Sequence, residues 1–248
     1  MLKSLFNRDE RRARAVQKAS AKAGDGRIKP DDRQPALQLL FDDGGDRAIE
    51  GLLRRFTFNY ANNLVSDEEE KDYVFEGLVA LGERVLPALR AHLLSSPSLS
   101  WGLRLLSEVG AHEQVWEVLA EVLARYQPGY ERDPSRKIQI LSHLGSFEDA
   151  RVPAAIVPFL QDHDETVRFV TVEGLLARGD EAVAREPLLA LLTDPEEESR
   201  RLKNRILQGF AATGWTVKGH RGTLEQQLPE EYVIDGKGHI RLRKEPTP

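Results

Sequence analysis

A Leu-rich run that closes on glycine recurs along this chain and constrains its fold more than any other feature. The runs end at Gly44, Gly82, Gly110, Gly145, Gly179 and Gly214, so successive glycines lie 38, 28, 35, 34 and 35 residues apart. Self-similarity at a period of 20–50 residues is the mark of a repeat architecture. Glycine closes a helix readily because it adopts the left-handed conformation without a Cβ penalty, so each glycine predicts a helix C-terminus. Between two glycines there is room for a pair of helices.

The interval 145–179 shows this best. Ala154, Ile156, Val157, Phe159 and Leu160 form a first apolar segment, and Asp162-His163-Asp164 a turn in which Asp164 is placed to cap the next helix. Val167, Val170, Thr171, Gly174 and Leu175 then fall on one helical face. The next interval repeats the arrangement with Pro187, Leu188, Leu191 and Leu192, a break at Asp194-Pro195, and Leu202, Ile206 and Phe210. Val115, Val118, Leu119, Val122 and Leu123 pattern another first helix, and Pro87, Pro158 and Pro187 recur in first helices, where proline begins or bends a helix.

Period, paired helices, Asp turns and these prolines resemble HEAT repeats. The segment Asp162-His163-Asp164-Glu165-Thr166-Val167-Arg168 carries the resemblance most clearly. Segments such as Phe56-Thr57-Phe58 and Pro128-Gly129-Tyr130-Glu131-Arg132-Asp133-Pro134 are also similar to those of bacterial HEAT-repeat proteins. The resemblance implies an all-α fold: a right-handed α-solenoid of about five helix pairs over residues 30–214, with a long concave surface. It implies no particular activity.

Two segments flank the array. Residues 1–29 hold nine Lys/Arg against three Asp/Glu, whereas the chain as a whole carries a net charge of −5. This basic arm has an alanine-rich helical stretch broken at Gly24-Asp25-Gly26. Three readings are open for residues 1–22: peripheral contact with an anionic membrane, a grip on nucleic acid, or packing of Leu2, Leu5 and Phe6 on the first repeat. At the other end, Tyr232-Val233-Ile234 and His239-Ile240-Arg241-Leu242 flank Asp235-Gly236-Lys237-Gly238, a hairpin signal. Trp215-Thr216-Val217 is a candidate third strand, making residues 215–248 a β-hairpin cap with a disordered tail at Glu245-Pro246-Thr247-Pro248.

The search for catalytic chemistry is negative. The chain has 248 residues and no Cys, which excludes disulfides, thiolate metal sites and Cys nucleophiles and fits a cytoplasmic location. It has no transmembrane-length apolar run, no secretory h-region, no phosphate-binding glycine loop and no nucleophile elbow. None of the six His residues pair at helical metal-binding spacing. His112-Glu113 is similar to the His-Glu pairs by which HEAT-type deoxyhypusine hydroxylases hold iron, but those enzymes use several pairs and this chain has one. No cofactor or metal is expected. The acidic runs 67–70 and 196–198 are read as favourable charge at helix N-termini.

Binding is a better prospect. Arg104, Arg136, Lys137, Arg168, Arg200 and Lys203 (with Arg201 and Arg205) occupy comparable parts of successive second helices, which line the concave face of a HEAT array. They would form a cation ladder that Trp101 joins, or pair internally with neighbouring carboxylates. Phe58 and Tyr60, in a polar-aromatic cluster over 56–63, and Tyr130 and Arg132, in a loop too elaborate for a plain connection, are residue types that dominate interfaces. The expectation is a non-enzymatic protein-binding scaffold using the concave face and inter-repeat loops. The alternative is a nucleic-acid-binding protein resembling the HEAT-like DNA glycosylases, with Trp101, Trp116 and Arg104 on a basic face.

Overall fold

A computed structural model describes residues 2–60 and 63–243, with side chains from residue 8 onward. The tail at 245–248 and the side chains of Leu2, Leu5 and Phe6, on which two of the expectations rest, lie outside the described residues. The chain is predominantly helical with one two-stranded antiparallel sheet, as an all-α class requires. It divides into two compact units, Met1–Val122 and Leu123–Pro248.

The first unit begins with α1 (Leu2–Ala23), α2 (Pro30–Asp43) and α3 (Asp46–Leu53). It continues with α4 (Leu64–Leu81), α5 (Leu86–Ser95), α6 (Ser100–Val109) and α7 (His112–Leu123). Helices α2, α4 and α6 are successive neighbours, and so are α1, α3 and α5. The basic arm is therefore a packed helix. Val16, Ala19 and Ala23 of α1 are buried, and α1 lies against both α2 and α3. It comes close to α3 because Gly51 faces Ser20, where an added Cβ would collide with the Ser20 hydroxyl.

In the second unit, α8 (Ser135–Ser146), α10 (Glu165–Arg178) and α12 (Arg200–Thr213) are successive neighbours. Opposite them run α9 (Val152–Ile156), extended by a 3-10 turn at Val157–Gln161, and α11 (Glu181–Thr193). The Asp164 carboxylate caps α10, accepting from Thr166 N at 2.9 Å and Val167 N at 3.0 Å. Short helix α13 (Arg221–Gln227) precedes β1 (Tyr232–Ile234) and β2 (Ile240–Leu242), paired with Val233 opposite Arg241. The third strand is reduced to a single bridge between Thr216 and His239. The hairpin packs on α12, where Trp215 meets Phe210 edge-on with ring centroids 5.6 Å apart.

The six glycines do not share one role. Gly44, Gly179 and Gly214 are left-handed caps, at φ 60, 66 and 72. Gly82 has positive φ but an extended ψ, and Gly110 is extended. Gly145 lies inside α8, where its Cα faces Gly174 of α10; a Cβ on either would stand 3.0 Å from the other's Cα. It recurs for close helix approach, so the recurrence had two physical causes and the sequence displayed one.

His92 of α5 packs beside Gly102 of α6, and its Nε2 is buried without a hydrogen-bond partner. Burial lowers its pKa from 6.5 to about 4. The folded protein thus binds fewer protons here than the unfolded chain, and stability that is complete above pH 6.5 is lost as the pH falls toward 4. His92→Leu should flatten the loss across that window by roughly 3 kcal/mol, read from urea midpoints at a series of pH values. An unchanged slope in the variant would exclude His92 as its source.

Candidate functional site

The loop between α7 and α8 is the most strongly built surface feature of the second unit. Lys137, in the first turn of α8, is buried and donates to Asp162 Oδ2 at 2.8 Å and to the Gly129 carbonyl at 3.2 Å. Asp162, also buried, accepts from Gly129 N at 3.1 Å through the same oxygen and from Asp164 N at 2.9 Å through the other. Gly129 takes a φ of 132, a conformation that favours glycine. One buried ion pair thus clamps both polar groups of a loop residue. Just beyond it stand Tyr130, 80% exposed, and Arg132, also exposed. Asp133 closes the loop by accepting from Ser135 N at 3.0 Å, and this bonding lowers its pKa.

This geometry removes Lys137 from the expected cation ladder: a side chain 2% exposed and held by a carboxylate does not meet a partner. Arg168 is removed for the same reason. It pairs with Glu197 at 2.8 Å and donates to the carbonyls of Asp162 and His163. Arg201 pairs with Glu165, 3.2 Å away, and Arg205 pairs with Glu173. Arg136 lies over the Tyr126 ring, 5.8 Å from its centroid. In the second unit the ladder is therefore largely a set of ties between neighbouring helices. Glu197 belongs to one of the acidic runs, so its role is ion pairing rather than general charge at the start of α12.

Arg200, like Lys203, has no ion partner among the described residues. With Lys203, which donates to the Asp194 carbonyl at 3.3 Å, it edges a cleft of about 330 Å³ against Leu207, Leu224 and Leu228. In the first unit Arg104 is exposed. Its guanidinium lies 4.5 Å from the Phe75 ring centroid and 4.9 Å from that of Trp101, and 3.8 Å from the Asp72 carboxylate. Trp101 is half-buried and stacks on Phe56 at 5.4 Å. Trp101 is therefore largely core, and Arg104 covers it.

Phe58 and Tyr60 belong to a polar core that the sequence did not reveal. Arg33, Arg55 and Lys71 are all fully buried, together with Asp67 and Glu70. Glu70 pairs with both arginines, and Asp67 pairs with Arg55 and Lys71. Both guanidinium groups lie against the Phe58 ring, with Arg33 4.9 Å and Arg55 4.6 Å from its centroid. Tyr60 N donates to Asp67 at 2.8 Å, and Lys71 to Asn59 at 2.6 Å. Phe58 is thus half-buried and held against the two arginines rather than offered to a partner. The acidic run 67–70 lies inside α4, where Asp67 and Glu70 serve this cluster and Glu68 and Glu69 are exposed. Among the described residues no three His, Asp or Glu side chains are grouped to hold a metal ion, and no helix is long and apolar enough to cross a membrane. The chain matches no known family model, and no curated protein is significantly similar to it.

Proposed function

We propose that the chain is a non-enzymatic protein-binding scaffold built of about five HEAT-like helix pairs in a right-handed solenoid. Alternating helices that form two rows of neighbours within each unit support that architecture. The docking element is the 128–132 loop. The observation that carries this reading is an exposed Tyr130 on a loop whose backbone is fixed by the buried Lys137–Asp162 pair. A large aromatic held rigidly in water loses little conformational entropy on binding, which is the property of an interface anchor. Arg132 beside it adds a planar, charged donor set suited to a partner carboxylate.

A Tyr130→Ala/Arg132→Ala double variant should keep wild-type stability, because neither side chain is buried. It should lose a protein retained by the immobilised wild-type chain at about 150 mM salt, with affinity reduced at least about tenfold. Equal retention by the double variant would sink the assignment.

A further inference from the structure

The cations expected to form a binding ladder are mostly neutralised within the fold, and the free positive charge lies elsewhere. On α1, Arg11, Arg14, Lys18 and Lys22 follow one another by three or four residues and share the face turned away from buried Val16, Ala19 and Ala23. All four are exposed. Arg14 has a loose contact with Glu10 at 3.5 Å, while the other three have no ion partner among the described residues. At about 1.5 Å per residue the row is about 16 Å long.

Arg14 also edges a groove of about 470 Å³ between α1 and α3, across from Arg47 of α3 and Arg54 of the 3-10 turn (Arg54–Thr57) that follows it. Ala13, Ala21 and Gly51, which carry no charge, are among its lining residues. Neither Arg47 nor Arg54 has an ion partner among the described residues, and Glu50 is the one carboxylate lining the groove. Arg12 differs: it is tied to Asp43 at 2.5 Å and contributes to folding instead.

We infer that this α1–α3 face binds the phosphate backbone of a nucleic acid, without reading its sequence. A row of exposed cations on α1, with Arg47 and Arg54 across a groove whose one lining carboxylate is Glu50, matches a linear polyanion, and guanidinium groups match phosphate oxygens. None of the described residues lining the groove is aromatic, so the contact is with phosphate rather than with stacked bases. A bilayer surface is the less fitting anion. The exposed large apolar side chains described (Leu39, Leu64, Val65, Tyr73, Tyr130 and Leu242) are on other elements, leaving nothing described here to enter the acyl region. The remainder of the chain, residues 30–248, has 26 Lys/Arg against 37 Asp/Glu, which repels a polyanion elsewhere and steers it to this end. This inference does not depend on the Tyr130 loop.

The test is fluorescence anisotropy with a labelled oligothymidylate, using the full chain. About four phosphate contacts to a single strand give a log–log salt slope near −3, so affinity should fall about 50-fold between about 50 and 200 mM salt. Replacing Arg11, Arg14, Arg47 and Arg54 together by Gln should abolish that binding while leaving the helical circular dichroism unchanged. Glu50→Gln should tighten binding about threefold, because it removes the carboxylate from the groove. Arg104→Gln, on another face of the unit, should bind as wild type. Three results would overturn the inference: no oligonucleotide bound by wild type at about 50 mM salt; equal binding by the four-Gln variant; or sedimentation of the chain with phosphatidylserine vesicles while the oligonucleotide stays free.

Discussion

Replacing Glu70 by Ala is expected to destabilise the N-terminal unit by about 3–5 kcal/mol, a large fraction of the stability of a domain this size. The Glu70 carboxylate lies between two guanidinium groups that are fully buried. Removing it leaves three buried cations, Arg33, Arg55 and Lys71, facing Asp67 and the exposed Glu68, 3.8 Å from Lys71. An uncompensated charge in a low-dielectric interior costs far more than the loss of a surface ion pair. Glu70→Gln keeps the shape and one acceptor and should fall in between. Glu69→Ala, exposed on the same helix, should stay within about 0.5 kcal/mol of wild type. Urea unfolding and amide exchange across residues 30–81 read the difference, and a Glu70→Ala shift below about 1 kcal/mol would show that the cluster tolerates the loss. Acid should act in the same direction. Burial alone would raise the Asp67 pKa, but hydrogen bonds from Lys71, Arg55 and Tyr60 N outweigh it and the pKa is lowered. The contribution of Asp67 is therefore complete above the ordinary carboxylate range and fades as the pH falls through the folded value.

This cluster shows where sequence reading stops. Apolar periodicity located the helices well, because a buried face writes itself as Leu, Val and Ile at fixed spacing. Asp164 and the left-handed Gly44, Gly179 and Gly214 were legible because a cap is set by its own backbone and near neighbours. Arg33 has no such local signature: its carboxylate partner is 37 residues away. A buried Arg and an exposed Arg look alike until the partner is found in space, so Lys137 and Arg168 joined a surface ladder on spacing alone. Gly145 was misread for a related reason. Its cause is Gly174 on another helix, and both positions look like ordinary helix-end glycines or small residues in a row. Helix α13 buries a single apolar side chain, Leu224, too few to produce a period.

The same distinction decides which cations can act. A guanidinium held by two carboxylate oxygens, like Arg168 on Glu197, has its donors used within the fold. The charges left over are Arg11, Lys18 and Lys22 on α1, Arg47 on α3 and Arg54 just beyond it, none with an ion partner among the described residues, whereas Arg12 is engaged by Asp43. Net charge says little about either case. The −5 of the whole chain is compatible with a positive face because neutralisation is local and solvent screening limits exposed charges to about 10 Å.

The second large effect is expected at Asp162. Asp162→Ala should cost about 3–5 kcal/mol by leaving Lys137 buried without its carboxylate, with only Glu131 near it at 3.4 Å. It should also free Gly129 N, so that residues 128–132 lose amide-exchange protection even under conditions where α8 and α10 keep theirs. A double variant separates the two consequences. Lys137→Met with Asp162→Leu replaces the ion pair by apolar groups of similar volume, which often restores stability. The clamp on the Gly129 amide and carbonyl would still be missing, because Met cannot donate to the carbonyl as Lys137 does and Leu cannot accept from the amide as Asp162 does. The double variant should therefore melt near wild type yet hold Tyr130 loosely, and its affinity for a protein partner should fall several-fold through the added ordering cost. Were stability and binding both restored, the pair would serve packing alone, and the rigidity of the loop would have to come from Asp133 and the turn at Gly129.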